Sequence, residues 1–402
     1  MEELHGRISK RTAGSHGIWF ENGFEIMKTY IEINKANLLH NLEEFRKLTN
    51  TKIMFVVKAN AYGHGLKEVI EITHTLPYID HYAVDSIEEA LLVREIDKSS
   101  RKILIIGWMD TDQLKVAIAN GFEMVAPSLD YIKLAGSIAK ELKTKAQVHV
   151  KVETGTARMG MAPSDVVDIM NRRDSLKSVE ITGMYSHFAN IEDTTDHSYA
   201  EHQLSVFNDM LGKFDHGNVL KHFSCSASTL LFPKTYFDIV RLGISAYGFW
   251  PSKPTQVSFM EQEKMSISLK PVMSWFAKIA QVKTIAKGEP VGYGLTYKTF
   301  EKTKIIIIPV GYYDGYDRKF SNSATVIVNG AKAPVRGRIC MNMFMVDVTH
   351  LKGFSIKAGD RVVLLGEENG ERITADGLAE LAGTINYEIV SRINPLIPRI
   401  IV

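Results

Sequence analysis

The segment VVKANAYGHG, residues 56–65, places a lysine directly after a run of apolar residues. Residues 54–57 are all apolar and predict a buried strand, so Lys58 stands where that strand ends. A lysine there either extends its amine into water or lies in a cleft, where a desolvated amine can form a Schiff base with an aldehyde. If the chain turns helical after Lys58, Tyr62 lies on the same helix face, where its phenol could bind a phosphate group.

Eight short apolar runs, separated by amphipathic stretches, occupy residues 52–250 and are rich in valine and isoleucine. Eight strand–helix repeats of this kind predict a (β/α)8 TIM-type barrel, whose active site lies at the carboxyl ends of the strands. In one helical stretch, Ser86 and Glu89 have the spacing of a capping box. Several side chains at the predicted strand ends can carry charge or donate protons. The strand-end residues are Lys58, Asp85, Gly107, Pro127, Arg158, His187, Ser226 and Arg241.

The pattern changes after residue 262. Strand-like runs joined by Gly, Asn and Asp turns predict a mainly β C-terminal domain with one helix that starts from Thr374. The predicted domains are an N-terminal tail at residues 1–27, a barrel at residues 28–262 and the β domain at residues 263–402. The proline-containing stretch at residues 251–265 is the predicted linker.

Composition restricts the class of partner. Lys and Arg total 48 residues against 46 for Asp and Glu, so there is no electrostatic reason to expect nucleic acid or an anionic membrane surface. No apolar run approaches the ~20 residues that cross a bilayer, and the N-terminal stretch lacks the apolar core of a signal peptide. The two cysteines, Cys225 and Cys340, are too few for a disulfide framework. They indicate a reducing compartment and predict a cytoplasmic protein.

The segment VVKANAYGHG resembles the lysine motif with which the alanine racemase family binds pyridoxal 5'-phosphate (PLP), and the resemblance extends over residues 28–402. That family joins a PLP-binding barrel to a β domain, which matches the predicted architecture. The resemblance implies a homodimeric enzyme that interconverts L-alanine and D-alanine and supplies D-alanine for peptidoglycan. It implies PLP as the cofactor, a small amino acid as the substrate and no metal.

Within the barrel, the resemblance makes Lys58 the PLP-binding lysine and one catalytic base. HVKVETGTARMGM supplies Arg158 on the substrate side and Lys151, which is either a carbamylated lysine that orients the arginine or an ordinary lysine paired with Glu153. DIVRLGISAYG supplies Arg241 at the pyridine nitrogen. A guanidinium accepts no proton, so it leaves that nitrogen unprotonated, which suits racemisation and disfavours transamination. The other cofactor-binding residues that the resemblance implies in the barrel are Tyr62, His187, Ser226, Gly243 and Ile244, and the segment TINYEIV of the β domain supplies Tyr387.

Racemisation needs an acid/base group on each face of Cα, and Lys58 serves one face. VGYGLTY resembles the family segment that carries a catalytic tyrosine, here Tyr293, which in the family reaches the barrel of the other subunit. A free phenol has a pKa near 10, so nearby cations must lower it before it can act as a base at neutral pH. The resemblance also assigns Tyr312 and Met341 to the substrate. The predicted active sites are therefore shared between the two chains of a homodimer.

Two positions depart from the family pattern. Asn342 stands where the family usually has an aspartate, and Cys225 where it usually has an asparagine. These departures leave a racemase of another small amino acid, such as serine, as an alternative. A barrel-fold PLP amino-acid decarboxylase is a second alternative, although its glycine-rich phosphate loop and its acidic cysteine motif are not found in this sequence. A non-catalytic PLP-binding barrel protein would lack the β domain and Tyr293.

Overall fold

The computed structural model describes residues 27–262 and 266–402. The predicted N-terminal tail lies outside these residues except for Met27, and residues 263–265 of the predicted linker also lie outside them. Residues 32–274 and 374–402 form one compact unit, the barrel unit. Residues 27–31 and 275–373 form a second one, the β unit. The predicted boundary between residues 262 and 263 adjoins the undescribed residues and stays a prediction.

Eight parallel strands form the centre of the barrel unit, which confirms the predicted (β/α)8 architecture. Strand β1 (Thr29–Ile33) and helix α1 (Lys35–Thr49) precede them. The barrel strands are β2 (Lys52–Val56), β3 (Ile79–Val84), β4 (Lys102–Ile105), β5 (Glu123–Ala126), β6 (Ala146–Lys151), β7 (Val179–Tyr185), β8 (Leu220–His222) and β9 (Ile239–Leu242). They pair in the order β8-β7-β6-β5-β4-β3-β2-β9, and β8 and β9 at its two ends lie in contact, so the barrel is nearly closed.

Helices follow the barrel strands, and the longer ones bury one face. In order they are α2 (Lys58–Tyr62), α3 (Leu66–Thr73), α4 (Ile87–Ile96), α5 (Thr111–Ala119), α6 (Leu129–Glu141), α7 (Pro163–Asn171), α8 (Ser198–Leu211), α9 (Ser226–Leu231) and α10 (Lys253–Glu261). Helix α6 shows why such a segment is helical. The hydroxyl of Ser128 caps its first turn, and Ile132, Ala135 and Ala139 are buried along one face. Within the described ranges, every helix is too short or too polar to cross a bilayer.

Helix α10 corrects the linker prediction. The sequence pattern predicted a linker over residues 251–265, but Lys253–Glu261 are helical. The hydroxyl of Ser252 accepts a hydrogen bond from the backbone N–H of Thr255 at 3.1 Å, and Pro254 lies in the first turn, where its missing N–H is not needed. The prolines that suggested a linker therefore mark a helix start.

The β unit consists of short antiparallel strands and confirms the predicted mainly β domain. Its strands are β10 (Met273–Lys278), β11 (Gln281–Ile285), β12 (Thr303–Ile308), β13 (Thr325–Val328), β14 (Ala331–Pro334), β15 (Phe344–Asp347), β16 (Arg361–Glu368) and β17 (Glu371–Ile373). One sheet runs β11-β12-β15, and a larger one contains β14-β13-β16-β10, with β17 paired to β16. Asn329–Gly330 and Asn369–Gly370 both have positive φ, as the tight hairpin turns after β13 and β16 require.

The C-terminal segment belongs to the barrel unit in space, although the prediction grouped it with the β domain by chain order. It contains α11 (Ala375–Ala382), which Thr374 caps as predicted, followed by α12 (Asn386–Ser391) and β18 (Arg399–Ile401). The guanidinium of Arg399 donates to the carbonyl of Gly63 at 2.9 Å, and the amide of Asn386 donates to the carbonyl of Trp250 at 2.9 Å. Contacts between residues so distant in sequence have no signature in local periodicity.

Helix α2, which begins at Lys58, is a single turn of left-handed helix. Residues 59–62 have φ between 53° and 55°, although none of them is glycine. Each such residue costs roughly 1–2 kcal/mol relative to the right-handed helix. Hydrogen bonds stabilise the turn, since the carbonyl of Asn60 accepts from the N–H of Gly65 at 3.0 Å and its side-chain oxygen accepts from the N–H of Leu66 at 2.8 Å. The sequence predicted a helical turn but did not predict its handedness.

Glu89 of α4 holds this turn against the end of β3. Its carboxylate accepts hydrogen bonds from the backbone N–H of Asn60 at 3.1 Å and from that of Asp85 at 2.9 Å. The predicted capping box is therefore only half formed. The Ser86 hydroxyl accepts from the N–H of Glu89 at 3.3 Å, but the Glu89 carboxylate binds two loop amides instead of bonding back to Ser86.

We expect Glu89→Leu to loosen the Lys58 turn, because it removes the acceptor for the Asn60 amide. A partly buried N–H without a partner costs about 1–3 kcal/mol, so the Asn60 amide should exchange with solvent at least tenfold faster, as measured by hydrogen–deuterium exchange. Glu89→Gln keeps one acceptor oxygen and should lose less protection. Glu88→Gln, at the exposed neighbouring position, is the matched control. Unchanged exchange at Asn60 in Glu89→Leu would contradict this role.

Candidate active site

Lys58 lies at the carboxyl end of β2, at the mouth of the barrel where the sequence predicted the site. Its amine has no hydrogen bond or ion pair with any residue in the described part of the chain. Its positive charge is one of the causes, after burial and the nearby arginines, that lower the pKa of Lys151 and of His187. Lys58 is therefore near those two residues, and no carboxylate of the described residues is paired with its amine.

Arg241 of β9 is buried, and its guanidinium is surrounded by acceptors. It donates to the carbonyls of Ser186 at 2.9 Å and Phe223 at 3.0 Å, and to Nδ1 of His222 at 2.8 Å. It also donates to Nδ1 of His187 at 3.3 Å. Two predicted site residues are thus directly hydrogen-bonded. Burial lowers the pKa of Arg241 to about 10, which still leaves it charged near neutral pH.

Burial and the nearby Arg241 charge lower the pKa of His187 well below its usual value, so the imidazole is neutral and its Nδ1 can accept the arginine's hydrogen bond. The carbonyl of His187 accepts from the hydroxyl of Thr156 at 2.6 Å and from the amide of Gln203 at 3.2 Å. These bonds tie the loop after β6 to the loop after β7.

Lys151 is the last residue of β6, and its side chain is buried among cations. Burial, followed by the charges of Arg158 and Arg241, lowers the pKa of its amine to about 8. Its Nζ lies 5.6 Å from the ring centre of Tyr185, and the guanidinium of Arg241 lies 5.2 Å from the same ring. The pairing of Lys151 with Glu153 that the sequence left open is not among the ion pairs of the described residues. The Glu153 carboxylate instead accepts from two loop amides.

Ser226 and Gly243 lie at the centre of a small polar cluster. The Ser226 hydroxyl accepts from the N–H of Gly243 at 3.1 Å and from that of Ser245 at 3.4 Å. Gly243 has no room for a side chain, because a Cβ there would lie 2.6 Å from the Tyr62 hydroxyl. The buried hydroxyl of Ser245 has no partner in the part of the chain that the structure describes. Ile244 is also buried beside them. Hydroxyls and amides that converge in this way fit a phosphate group.

Tyr387 of α12 joins this cluster from the C-terminal segment. Its ring lies 6.0 Å from that of Tyr62, and its hydroxyl donates to the carboxylate of Glu192 at 3.1 Å. Burial raises the pKa of Glu192 to about 7. The Cys225 sulfur, at the departing position, lies 3.9 Å from the same carboxylate. Sequence reasoning missed Glu192, whose only signal was an acid in the loop that follows His187.

Tyr293, Tyr312 and Met341 lie together in the β unit. They line a cavity of about 470 Å³ with Arg338, Cys340 and Asn342 among its other residues. Tyr293 is 73% exposed and stands between Gly292 and Gly294, which both have positive φ. The Arg338 guanidinium packs against Gly294, where a Cβ would lie 3.0 Å from Cζ. The structure thus brings together Tyr293, Tyr312 and Met341, whereas Tyr387, which was also predicted in the β domain, lies in the barrel unit.

A second feature that sequence reasoning missed runs through the barrel core. His222, His149, Glu123 and His81 are all buried and are linked by hydrogen bonds of 2.8 to 3.0 Å. The signal was present in the strand segments QVHVKV and EMVAP, since His149 and Glu123 are buried polar residues in strands whose other buried residues are mainly apolar. A polar residue there predicts a partner across the barrel but does not identify it.

Comparison with known proteins agrees with this arrangement. The alanine racemase N-terminal domain family matches residues 33–251, and the alanine racemase C-terminal domain family matches residues 272–401. An alanine racemase from Leptospira interrogans is 38% identical over 383 residues, which cover 93% of this chain and 96% of that protein.

Solved structures agree with the sequence matches. An alanine racemase from Clostridium difficile 630 superposes with a TM-score of 0.85 at 33% identity and covers 94% of this chain and 96% of its own. One from Bartonella henselae, with covalently bound pyridoxal phosphate, has a TM-score of 0.81 at 26% identity and covers 93% and 99%. With both domain families matched in order and similar proteins aligned along nearly their whole length, the chain belongs to the alanine racemase family.

Proposed function

We propose that this protein is a PLP-dependent alanine racemase that interconverts L-alanine and D-alanine with two bases, Lys58 and Tyr293. The observation that carries the proposal is the convergence of Lys58, Lys151, Arg158 and Arg241. All four charges act on the pKa of His187, and no carboxylate is paired with any of them among the described residues. The names of the relatives favour this function over the amino-acid decarboxylase alternative.

The residues present fit the cofactor. Lys58 supplies an unpaired amine, and the cluster of Ser226, Gly243 and Tyr62, with Ile244 and Tyr387 beside it, suits a phosphate. When bound, PLP supplies an aldehyde that an amine can capture and an electron-poor ring that withdraws charge from the substrate. In this proposal Arg241 meets the pyridine nitrogen. Because a guanidinium only donates, it leaves that nitrogen unprotonated and favours return of a proton to Cα.

The two bases come from different units of the chain. Lys58 moves a proton on one face of Cα, and we assign the opposite face to Tyr293 of a second copy of the chain, together with Tyr312 and Met341. The high exposure of Tyr293 in the single chain supports this assignment, since a phenol that serves another subunit must be accessible. Arg158, on the substrate side, and the His187–Arg241 pair supply positive charge that would lower the pKa of a phenol brought beside them.

The proposed reaction suggests a cellular role and a compartment for the enzyme. D-alanine is the form that peptidoglycan synthesis requires, so we propose a cytoplasmic enzyme that supplies it. Both cysteines are free thiols, which supports a reducing compartment.

The first test is deuterium incorporation. In heavy water, the wild-type protein with L-alanine should produce D-alanine and place solvent deuterium at Cα. Lys58→Ala should lower the rate by at least about 10²–10⁴-fold in both directions, whereas Tyr293→Phe should remove one base and give unequal solvent isotope effects for the two enantiomers. Exposed Lys67→Ala and remote Tyr78→Phe are the controls. A wild-type protein without Cα exchange would rule out racemisation, and normal rates both ways in Tyr293→Phe would place the second base elsewhere.

The second test mixes inactive chains. If each site uses Lys58 of one chain and Tyr293 of its partner, refolding Lys58→Ala with Tyr293→Ala gives mixed dimers in which one site carries both substitutions and the other carries neither. Random pairing produces about half mixed dimers, so activity should recover to roughly 25% of wild type if the sites act independently. Formation of mixed dimers without any recovered activity would show that Tyr293 acts within its own chain.

The third test concerns Lys151, for which we propose carbamylation. A neutral amine can attack CO2, forming an N–C bond and releasing a proton, and the resulting anion would lie among the positive charges of Arg158 and Arg241. Because the pKa of Lys151 is about 8, carbamate occupancy should rise as pH increases through that value. Protein incubated with ¹³CO2 should show one carbamate signal by NMR that Lys151→Ala abolishes. A signal that persists in this variant, or its absence from wild type at high pH, would exclude the modification.

A further inference from the structure

We propose that Glu123 positions Arg241 through a one-way chain of hydrogen bonds across two neutral imidazoles in the barrel core. This series of hydrogen bonds runs from Arg241, at the carboxyl end of the barrel, to Glu123, the first residue of β5. The consequence for catalysis rests on the proposed function, in which Arg241 meets the cofactor. The hydrogen bonds themselves do not depend on that function.

The direction of the chain follows from Arg241. A guanidinium donates hydrogen bonds and accepts none, so Nδ1 of His222, 2.8 Å from NH1, must be the acceptor and carry no proton. The proton of His222 is then on Nε2, which lies 2.8 Å from Nδ1 of His149. That Nδ1 must accept, which leaves the His149 proton on Nε2, 3.0 Å from Oε2 of Glu123. The carboxylate accepts and completes the chain.

Burial agrees with neutral imidazoles in the middle of the chain. Burial, and then the charge of Arg241, lowers the pKa of His222 well below its usual value, and burial also lowers that of His149. Packing fixes the His149 ring as well, because a Cβ at Gly183 would lie 2.4 Å from its Nδ1. Two neutral rings thus link the positive charge of Arg241 to the negative charge of Glu123, and packing restricts the His149 ring.

His81 also donates a hydrogen bond to Glu123, at the end of the series that is distant from Arg241. Its Nε2 donates to Oε2 of Glu123 at 3.0 Å, and its Nδ1 lies 2.8 Å from the carboxylate of Asp80, which also pairs with Lys52. The hydrogen bonds and charges of the two carboxylates outweigh burial and raise the pKa of His81. Glu123 therefore stays ionised at its place in the chain, where the two histidines that donate to it outweigh burial and lower its own pKa.

The hydrogen-bond directions that Arg241 imposes also disfavour a metal ion in this cluster. His81, Glu123 and His149 present ligand atoms within 4.8 Å of one another, as a metal site would. A metal needs an unprotonated Nε2 on His149. The proton would then have to sit on Nδ1 of His149, His222 would have to accept it, and the remaining proton of His222 would point at an arginine N–H. Arg241 makes that arrangement unfavourable.

The test counts protons on histidine. In the full-length protein as purified, labelled with ¹⁵N-histidine and assigned with His149→Gln and His222→Gln, NMR should show His149 and His222 each with a single proton on Nε2 from about pH 6 to about pH 9. Glu123→Leu removes the terminal acceptor, so the Nε2 proton of His149, which donates to Glu123, should exchange about tenfold faster, the equivalent of one lost hydrogen bond. Glu180→Gln, an exposed carboxylate on β7, should change neither signal.

A proton on Nδ1 of either histidine, a second proton on either, or unchanged exchange in Glu123→Leu would overturn the proposal, as would a His149 signal that shifts when Zn²⁺ is added. If Glu123→Leu does not fold, Glu123→Gln decides: it keeps an acceptor oxygen but not the charge, so His81 should titrate at lower pH than in wild type, and unchanged titration would refute the charge assignment. These measurements need no turnover, so a failed racemase assay leaves their outcome untouched, and their failure leaves the racemase assay intact.

Discussion

A guanidinium buried in a barrel can only donate hydrogen bonds, and the core around Arg241 is built to accept them. Its neighbours are two carbonyls and two imidazole nitrogens that carry no proton. A buried charge without such partners would cost several kcal/mol. Each neutral imidazole that accepts a hydrogen bond on one nitrogen carries its proton on the other, and that N–H needs an acceptor in turn. From His222 through His149, the series of hydrogen bonds ends at the carboxylate of Glu123, which only accepts.

In the Lys58 turn, tertiary contacts stabilise a backbone conformation that is unfavourable for these residues by themselves. Four consecutive non-glycine residues in a left-handed conformation are unfavourable on their own. Glu89 and the Arg399 guanidinium on Gly63 supply hydrogen bonds that only the folded barrel unit can make, and the Asn60 side chain adds a local one to Leu66. Strain concentrated at the lysine, and balanced by residues from two other elements, is typical of a functional site.

The residues of the proposed reaction are divided between two units, and their surroundings differ accordingly. In the barrel unit, Arg241 and Lys151 are buried and held in defined orientations. In the β unit, Tyr293 and Met341 are largely exposed around an open cavity. Tyr293 stands between Gly292 and Gly294, whose positive φ values are conformations that favour glycine at both positions.

The sequence by itself determined the barrel, the β domain and most of the candidate site residues, because those depend on short-range information. Apolar runs of strand length, Asn–Gly turns and the VVKANAYGHG motif are each contained within about ten residues. Tertiary structure alone decided the left-handed sense of the Lys58 turn, the return of residues 374–402 to the barrel unit and the linkage of His149 to Glu123. Each of these depends on hydrogen bonds between residues distant in sequence, and a polar residue within an apolar strand does not reveal which group on another strand it will meet.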